Sequence, residues 1–143
     1  MGTRSITVVM DKDGKKIIEM YRHMDGYPAG MGKDLQNFIN SGKVVNGIPL
    51  KHDGKLFNGI SCFAAQLVNE FKDGPGNIYL HAPTKDFVDK RKYEKLYGAD
   101  YYYEIDSALN LLCWDCCNGD DIEDPTSDDW ALLTTWWLRW LLY

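Results

Sequence analysis

Two stretches of alternating apolar and polar residues open the chain. Ile6, Val8 and Met10 share one face of a run over residues 4–10, and Ile18, Met20 and Arg22 share one face of a run over 16–24. A period of two predicts half-buried strands. The intervening Asp11-Lys-Asp-Gly-Lys15 predicts a hairpin whose three-residue loop is Lys12, Asp13 and Gly14, with Gly14 in the left-handed position. That loop sets Val8 opposite Ile18, Ile6 opposite Met20 and Arg4 opposite Arg22. A tighter Asp-Gly turn would set Val8 opposite Glu19 and Arg4 opposite His23. Its apolar match is poorer, so the first register is preferred.

Helical spacing follows. A first helix is expected from near Lys33 to Gly42, with Leu35, Phe38 and Ile39 inward. Residues 43–57, with Gly47, Pro49 and Gly54, read as a loop holding at most a short strand. A second helix is expected over about Gly59–Lys72, burying Ile60, Phe63, Ala64, Leu67 and Phe71 and ending at Gly74-Pro75. Asn77–Ala82 reads as a strand, and 84–98 as a charged surface segment or short helix capped by Thr84. Asp100–Asp106 and Leu109–Asp115 read as a strand pair rich in Tyr, Leu and Trp. An acidic linker, Asp120-Asp-Ile-Glu-Asp-Pro-Thr126, precedes a capping-box pattern over Thr126–Asp129.

The chain closes on an apolar helix, Trp130–Tyr143, within a C-terminal element spanning 125–143. Apolar side chains surround it almost completely, so it must be buried on more than one side. At about 21 Å it is too short to cross a bilayer. Trp130, Trp137 and Trp140 are therefore expected at a homo-oligomer interface. The whole pattern predicts a single α+β domain over residues 1–143. It would hold an antiparallel sheet of about five strands, two helices on one face and the Trp-rich helix at an interface.

Composition narrows the classes. The 143 residues are 45% hydrophobic and 26% charged, in the globular range. A formal charge of −5 argues against generic nucleic-acid binding, which relies on many Lys/Arg–phosphate contacts. The N-terminus lacks a signal-peptide core, Ile6 stands where a myristoylation signal needs Ser or Thr, and no apolar run reaches transmembrane length. A cytoplasmic protein without membrane association is expected. Cys62, Cys113, Cys116 and Cys117 read as reduced structural thiols. Cys113-Trp-Asp-Cys116 is half a zinc site with no second half, so no metal and no cofactor are expected.

The residues that bear on chemistry lie early in the chain. Arg4 and Arg22, opposite each other in the preferred register, would repel without a counter-charge. An internal carboxylate, Asp25 or Asp34, would supply it, or an anionic ligand held by both guanidiniums. The stretch Arg22-His-Met-Asp-Gly-Tyr-Pro-Ala-Gly-Met-Gly-Lys33 favours the ligand. Gly26, Gly30 and Gly32 permit positive φ and close backbone approach, while Lys33 and the free amides of the first helix face whatever lies before it. A Walker A loop is excluded, because the spacing is one residue longer and Asp34 replaces the hydroxyl. Tyr27 would stack on the ligand or close the site; Tyr101, Tyr102 and Tyr103 alternate as in a core or interface. His23 beside Asp25 could act as an acid/base pair, but a hydrogen-bonded surface histidine is the simpler account.

Three segments carry a resemblance. Met1-Gly-Thr-Arg-Ser-Ile-Thr7, Tyr21–Lys33 and Asn58-Gly-Ile-Ser-Cys-Phe-Ala-Ala-Gln-Leu-Val68, with Asn77–Pro83, resemble a family of short, largely uncharacterised bacteriophage, prophage and bacterial proteins. The resemblance covers about the first 83 residues, and the Trp-rich end departs from it. It implies a phage-type accessory protein and brings no catalytic residues. By analogy, such proteins counter host defence by trapping nucleotide signals or by blocking a defence protein. The expected function is non-catalytic capture of a small phosphorylated ligand, a nucleotide immune signal. Its ligand-binding residues would be Arg4, Arg22, His23, Asp25, Gly26, Tyr27, Gly30, Gly32 and Lys33. The alternatives are a protein-binding, anti-CRISPR-like inhibitor using 120–129 and the terminal helix, and third, a nucleotide-processing enzyme.

Overall fold

Ser5–Met10 (β1) carries no charge and is buried on both faces from Ser5 to Val9, which suits it to the middle of a sheet. A computed structural model of the protein, describing residues 2–83 and 97–126, places it there. Along the chain follow Lys16–Arg22 (β2), one wide π-type turn at Pro28–Gly32, and Lys33–Asn40 (α1). Gly42–Val45 (β3), Lys55–Asn58 (β4) and Gly59–Phe71 (α2) come next. Ile78–His81 (β5), Tyr101–Ile105 (β6), Leu111–Asp115 (β7) and Asp120–Ile122 (β8) complete the described elements.

The fold is α+β. Its main sheet has six strands in the order β5-β2-β1-β6-β7-β8, and β3 and β4 form a small parallel pair. The main sheet joins two antiparallel triplets through one parallel seam, β1 against β6. It is thus mixed rather than wholly antiparallel, and the linker expected after residue 119 begins with an edge strand. The stretch 43–57 supplies most of β3 and most of β4. The expected Thr84 cap, the capping box, the Trp-rich helix and its Trp130, Trp137 and Trp140 interface fall largely or wholly outside the described residues.

Both helices cover one face of the sheet. Leu35, Phe38 and Ile39 of α1, with Phe63, Ala64 and Leu67 of α2, pack with Val9, Met20, Tyr103 and Ile105. An aromatic knot fills the centre: Phe57 and Phe63 stand edge to face at 4.9 Å, and Phe38 lies 5.4 Å from each. The far face carries a second buried cluster of Ile6, Val8, Ala99, Tyr102 and Cys116.

The first hairpin departs from the preferred register. Its turn is the expected three-residue loop, with Gly14 at φ 77° and the Asp11 amide bonded to the Lys15 carbonyl at 2.8 Å. A bulge then intervenes. Met10 pairs with Lys16 but Val9 pairs with Ile18, so Ile17 is left over. Beyond it Val8 faces Glu19, Thr7 faces Met20 and Ser5 faces Arg22. The apolar match misled because β1 is buried on both faces, so it does not need apolar residues opposite one another. What it needs is small side chains where the glycine loop crosses it, and Ser5 provides one: a Cβ on Gly26 would stand 2.8 Å from the Ser5 Cβ.

Phe63→Ala removes the centre of the aromatic knot. It is expected to lower the unfolding free energy by about 3–5 kcal/mol, read as a fall in denaturant midpoint with an unchanged m-value.

Candidate functional site

The loop after β2 is wired into the protein. The Gly26 amide bonds the Thr3 carbonyl at 2.9 Å, the Gly30 amide the Tyr27 carbonyl at 2.9 Å, and the Met31 amide the Asp25 carbonyl at 3.0 Å. The Lys33 amide reaches the Pro28 and Gly30 carbonyls. Positive φ falls on Asp25, at 57°, and on none of Gly26, Gly30 and Gly32. Those glycines serve close packing instead. Gly26 lies on β1, Gly30 against the Asp25 carbonyl, and Gly32 against the Pro125 carbonyl oxygen. The expected cradle of free amides is therefore largely closed on itself.

Tyr103 ties this loop to the sheet. Its buried hydroxyl donates to the Gly26 carbonyl at 2.8 Å, and the Gly32 amide is directed at the same oxygen. Burial, reinforced by Cys113 and Tyr101, raises the phenol far above its ordinary value, so the proton stays in place. Tyr27 is half-buried against the core, its hydroxyl 3.4 Å from Asp25.

Arg22 belongs to the same assembly. Its Nη1 meets the Asp34 carboxylate at 3.0 Å and the Met31 sulfur at 3.0 Å, while Nε–H donates to the Met24 carbonyl at 2.7 Å. The internal carboxylate, Asp34, thus takes the counter-ion role. The register also separates the two arginines: Arg22, opposite Ser5, lies on the helix-covered face, and Arg4, one residue earlier than Ser5, on the far face. A single ligand between both guanidiniums is excluded by this geometry.

Arg4 is the group left over. Among the described residues its guanidinium forms no ion pair, and its Nε–H is buried without a hydrogen-bond partner. The Asp100 carboxylate accepts the Arg4 main-chain amide at 2.9 Å rather than the side chain. Gly98, at φ 63°, makes room for the guanidinium, whose Nη1 lies 2.9 Å from where a Cβ would stand. A buried guanidinium N–H without an acceptor is costly.

Aromatic and imidazole rings cluster on the same far face, and Tyr97 among them is the chain neighbour of the Gly98 that meets the guanidinium. Tyr97, next to Gly98, stacks on His81 at 4.5 Å and 27°. His81 meets Tyr21 edge to face at 5.7 Å, and Tyr79 and His23 lie 6.2 and 6.3 Å from Tyr21. The Tyr21 hydroxyl and His23 Nδ1 are 3.1 Å apart. Burial, and then the Glu19 carboxylate, raise the Tyr97 phenol above its usual value. His23 and Asp25 are not bonded to each other, and Lys33 is exposed. Of the expected residues, only Arg4 and His23 fall in this cluster. Tyr21, Tyr79, His81 and Tyr97 were missed, although Tyr21/His23 and Tyr79/His81 each repeat at the strand period.

Among the described residues no group of His, Cys, Asp and Glu is placed to hold a metal ion, and no helix is long and apolar enough to cross a membrane. Compared with protein-family models, curated proteins and solved structures, the chain matches none.

Tyr103→Phe leaves the buried Gly26 carbonyl without its donor. A loss of about 1–3 kcal/mol is expected in chemical denaturation. The wild type should also lose stability as pH rises past 10.0, the ordinary phenol value, because the unfolded chain then releases a proton that the folded one keeps. That alkaline loss should be smaller in Tyr103→Phe.

Proposed function

We propose that the protein captures a small phosphorylated ligand without turning it over, with Arg4 as the anchor. The observation that carries this reading is the Arg4 guanidinium: half-buried, without a carboxylate partner among the described residues, and packed against Gly98, whose neighbour Tyr97 belongs to a ring cluster with His81 and Tyr21 on the same face. A guanidinium presents several donors at fixed angles to a phosphate, and exposed His23 adds a second donor in its protonated form. The unformed His23–Asp25 pair favours binding over acid/base chemistry. With the resemblance to short phage and bacterial proteins, the ligand would be a host signal and its capture a counter-defence act.

A second reading is a protein-binding inhibitor. It draws on the exposed acidic residues Asp120 and Asp121 of the edge strand β8, and on Ile48 and Leu50, exposed in the loop between β3 and β4.

The test is a thermal-shift screen with inorganic phosphate, sugar phosphates and nucleoside phosphates, followed by recovery of the ligand. A ligand at about a hundredfold its Kd should stabilise the protein by ~2.7 kcal/mol and be recovered unchanged. Arg4→Met should abolish the response while leaving the unliganded protein at least as stable, since it removes an uncompensated cation. No shift with any phosphate, together with co-purification of a host protein, would favour the inhibitor. Chemically altered ligand would mean an enzyme.

A further inference from the structure

Resting on the capture reading, we infer that the ligand at Arg4 is a nucleoside phosphate whose base lies on the Tyr79 ring. Inorganic phosphate or a sugar phosphate would satisfy Arg4 but has no use for what stands beside it.

Tyr79 is the accessible tyrosine of the ring cluster. It is 51% exposed although it lies on the sheet face, in the row Ile6–Tyr21–Tyr79 that crosses three strands. Its ring is also held in place. The Lys72 ammonium sits 5.4 Å from the ring centroid and is itself fixed by the Gly76 and Ile78 carbonyls, at 2.9 and 2.8 Å. Tyr21 leans on the ring at 47°. A fixed, half-exposed ring loses little conformational freedom when a flat group settles on it.

Reach favours the same ligand class. Arg4 precedes that row by two residues and lies two strands away, about 7 Å along the strands and ~10 Å across them at Cα. A phosphate held at Arg4 and a base on Tyr79 are at a separation that the ribose and phosphate linkage of a nucleotide can span. His23, adjacent to Arg4 in the hairpin register and 6.3 Å from Tyr21 between ring centroids, lies along the path. The cluster offers ring faces and few groups placed to read base edges, so stacking without strong base discrimination follows.

The experiment compares inorganic phosphate, adenosine, adenosine monophosphate and cytidine monophosphate by calorimetric titration, on wild type, Arg4→Met, Tyr79→Ala and Tyr79→Leu. The monophosphates should bind tenfold to a hundredfold tighter than phosphate, the range expected of one stacked base. Both Tyr79 variants should bind them no better than phosphate, with phosphate affinity unchanged; Tyr79→Leu keeps apolar area but removes the ring. Arg4→Met should lose phosphate and nucleotide alike. Equal affinity for phosphate and the monophosphates, or nucleotide binding indifferent to both Tyr79 variants, would overturn the stacking inference while leaving capture at Arg4 intact. Absence of binding by phosphate and nucleotides alike would overturn the capture reading, and this inference with it.

Discussion

One extra residue in the first hairpin decides what each face of the sheet can do. The bulge at Ile17 shifts β2 by one position against β1, and with a side-chain period of two such a shift exchanges faces. Ile18, Met20 and Arg22 therefore join the helix-covered face, while Glu19 and Tyr21 turn to the other. Arg22 finds Asp34 and Met31 there. Arg4 stays behind with the rings. A pair of guanidiniums expected at one end of a hairpin becomes one structural cation and one that has no acid partner among the described residues.

The same register explains the glycine loop. With Ser5 and Thr7 inward, Gly26 lies directly on β1, and the Tyr103 hydroxyl holds its carbonyl. Loop amides that could have met a phosphate are closed internally, as buried backbone groups must be. A sequence that resembles an anion cradle is here a packing device, and its glycines are needed for their missing side chains rather than for positive φ.

Much of the architecture was legible in the chain. The two helices, their inward residues, the strands at 78–81, 101–105 and 111–115, and the Gly14 turn follow from local periodicity and turn chemistry. The parallel seam between β1 and β6 joins segments far apart in sequence, and no local pattern encodes it. The register was misread because the residue that sets it, Ile17, resembles every other apolar residue of the strand. For the site, Arg4 and His23 were identified, but their neighbours Tyr79, His81 and Tyr97 come from beyond the second helix. Asp34 was one of two carboxylates, with Asp25, expected to balance the arginine pair, and it meets Arg22 alone.

Interstrand NMR contacts between the first two strands test the account at its root. The bulged register predicts cross-strand contacts joining Ser5 with Arg22, Thr7 with Met20 and Val9 with Ile18. Contacts joining Arg4 with Arg22 and Ile6 with Met20 would place both guanidiniums on one face and contradict it.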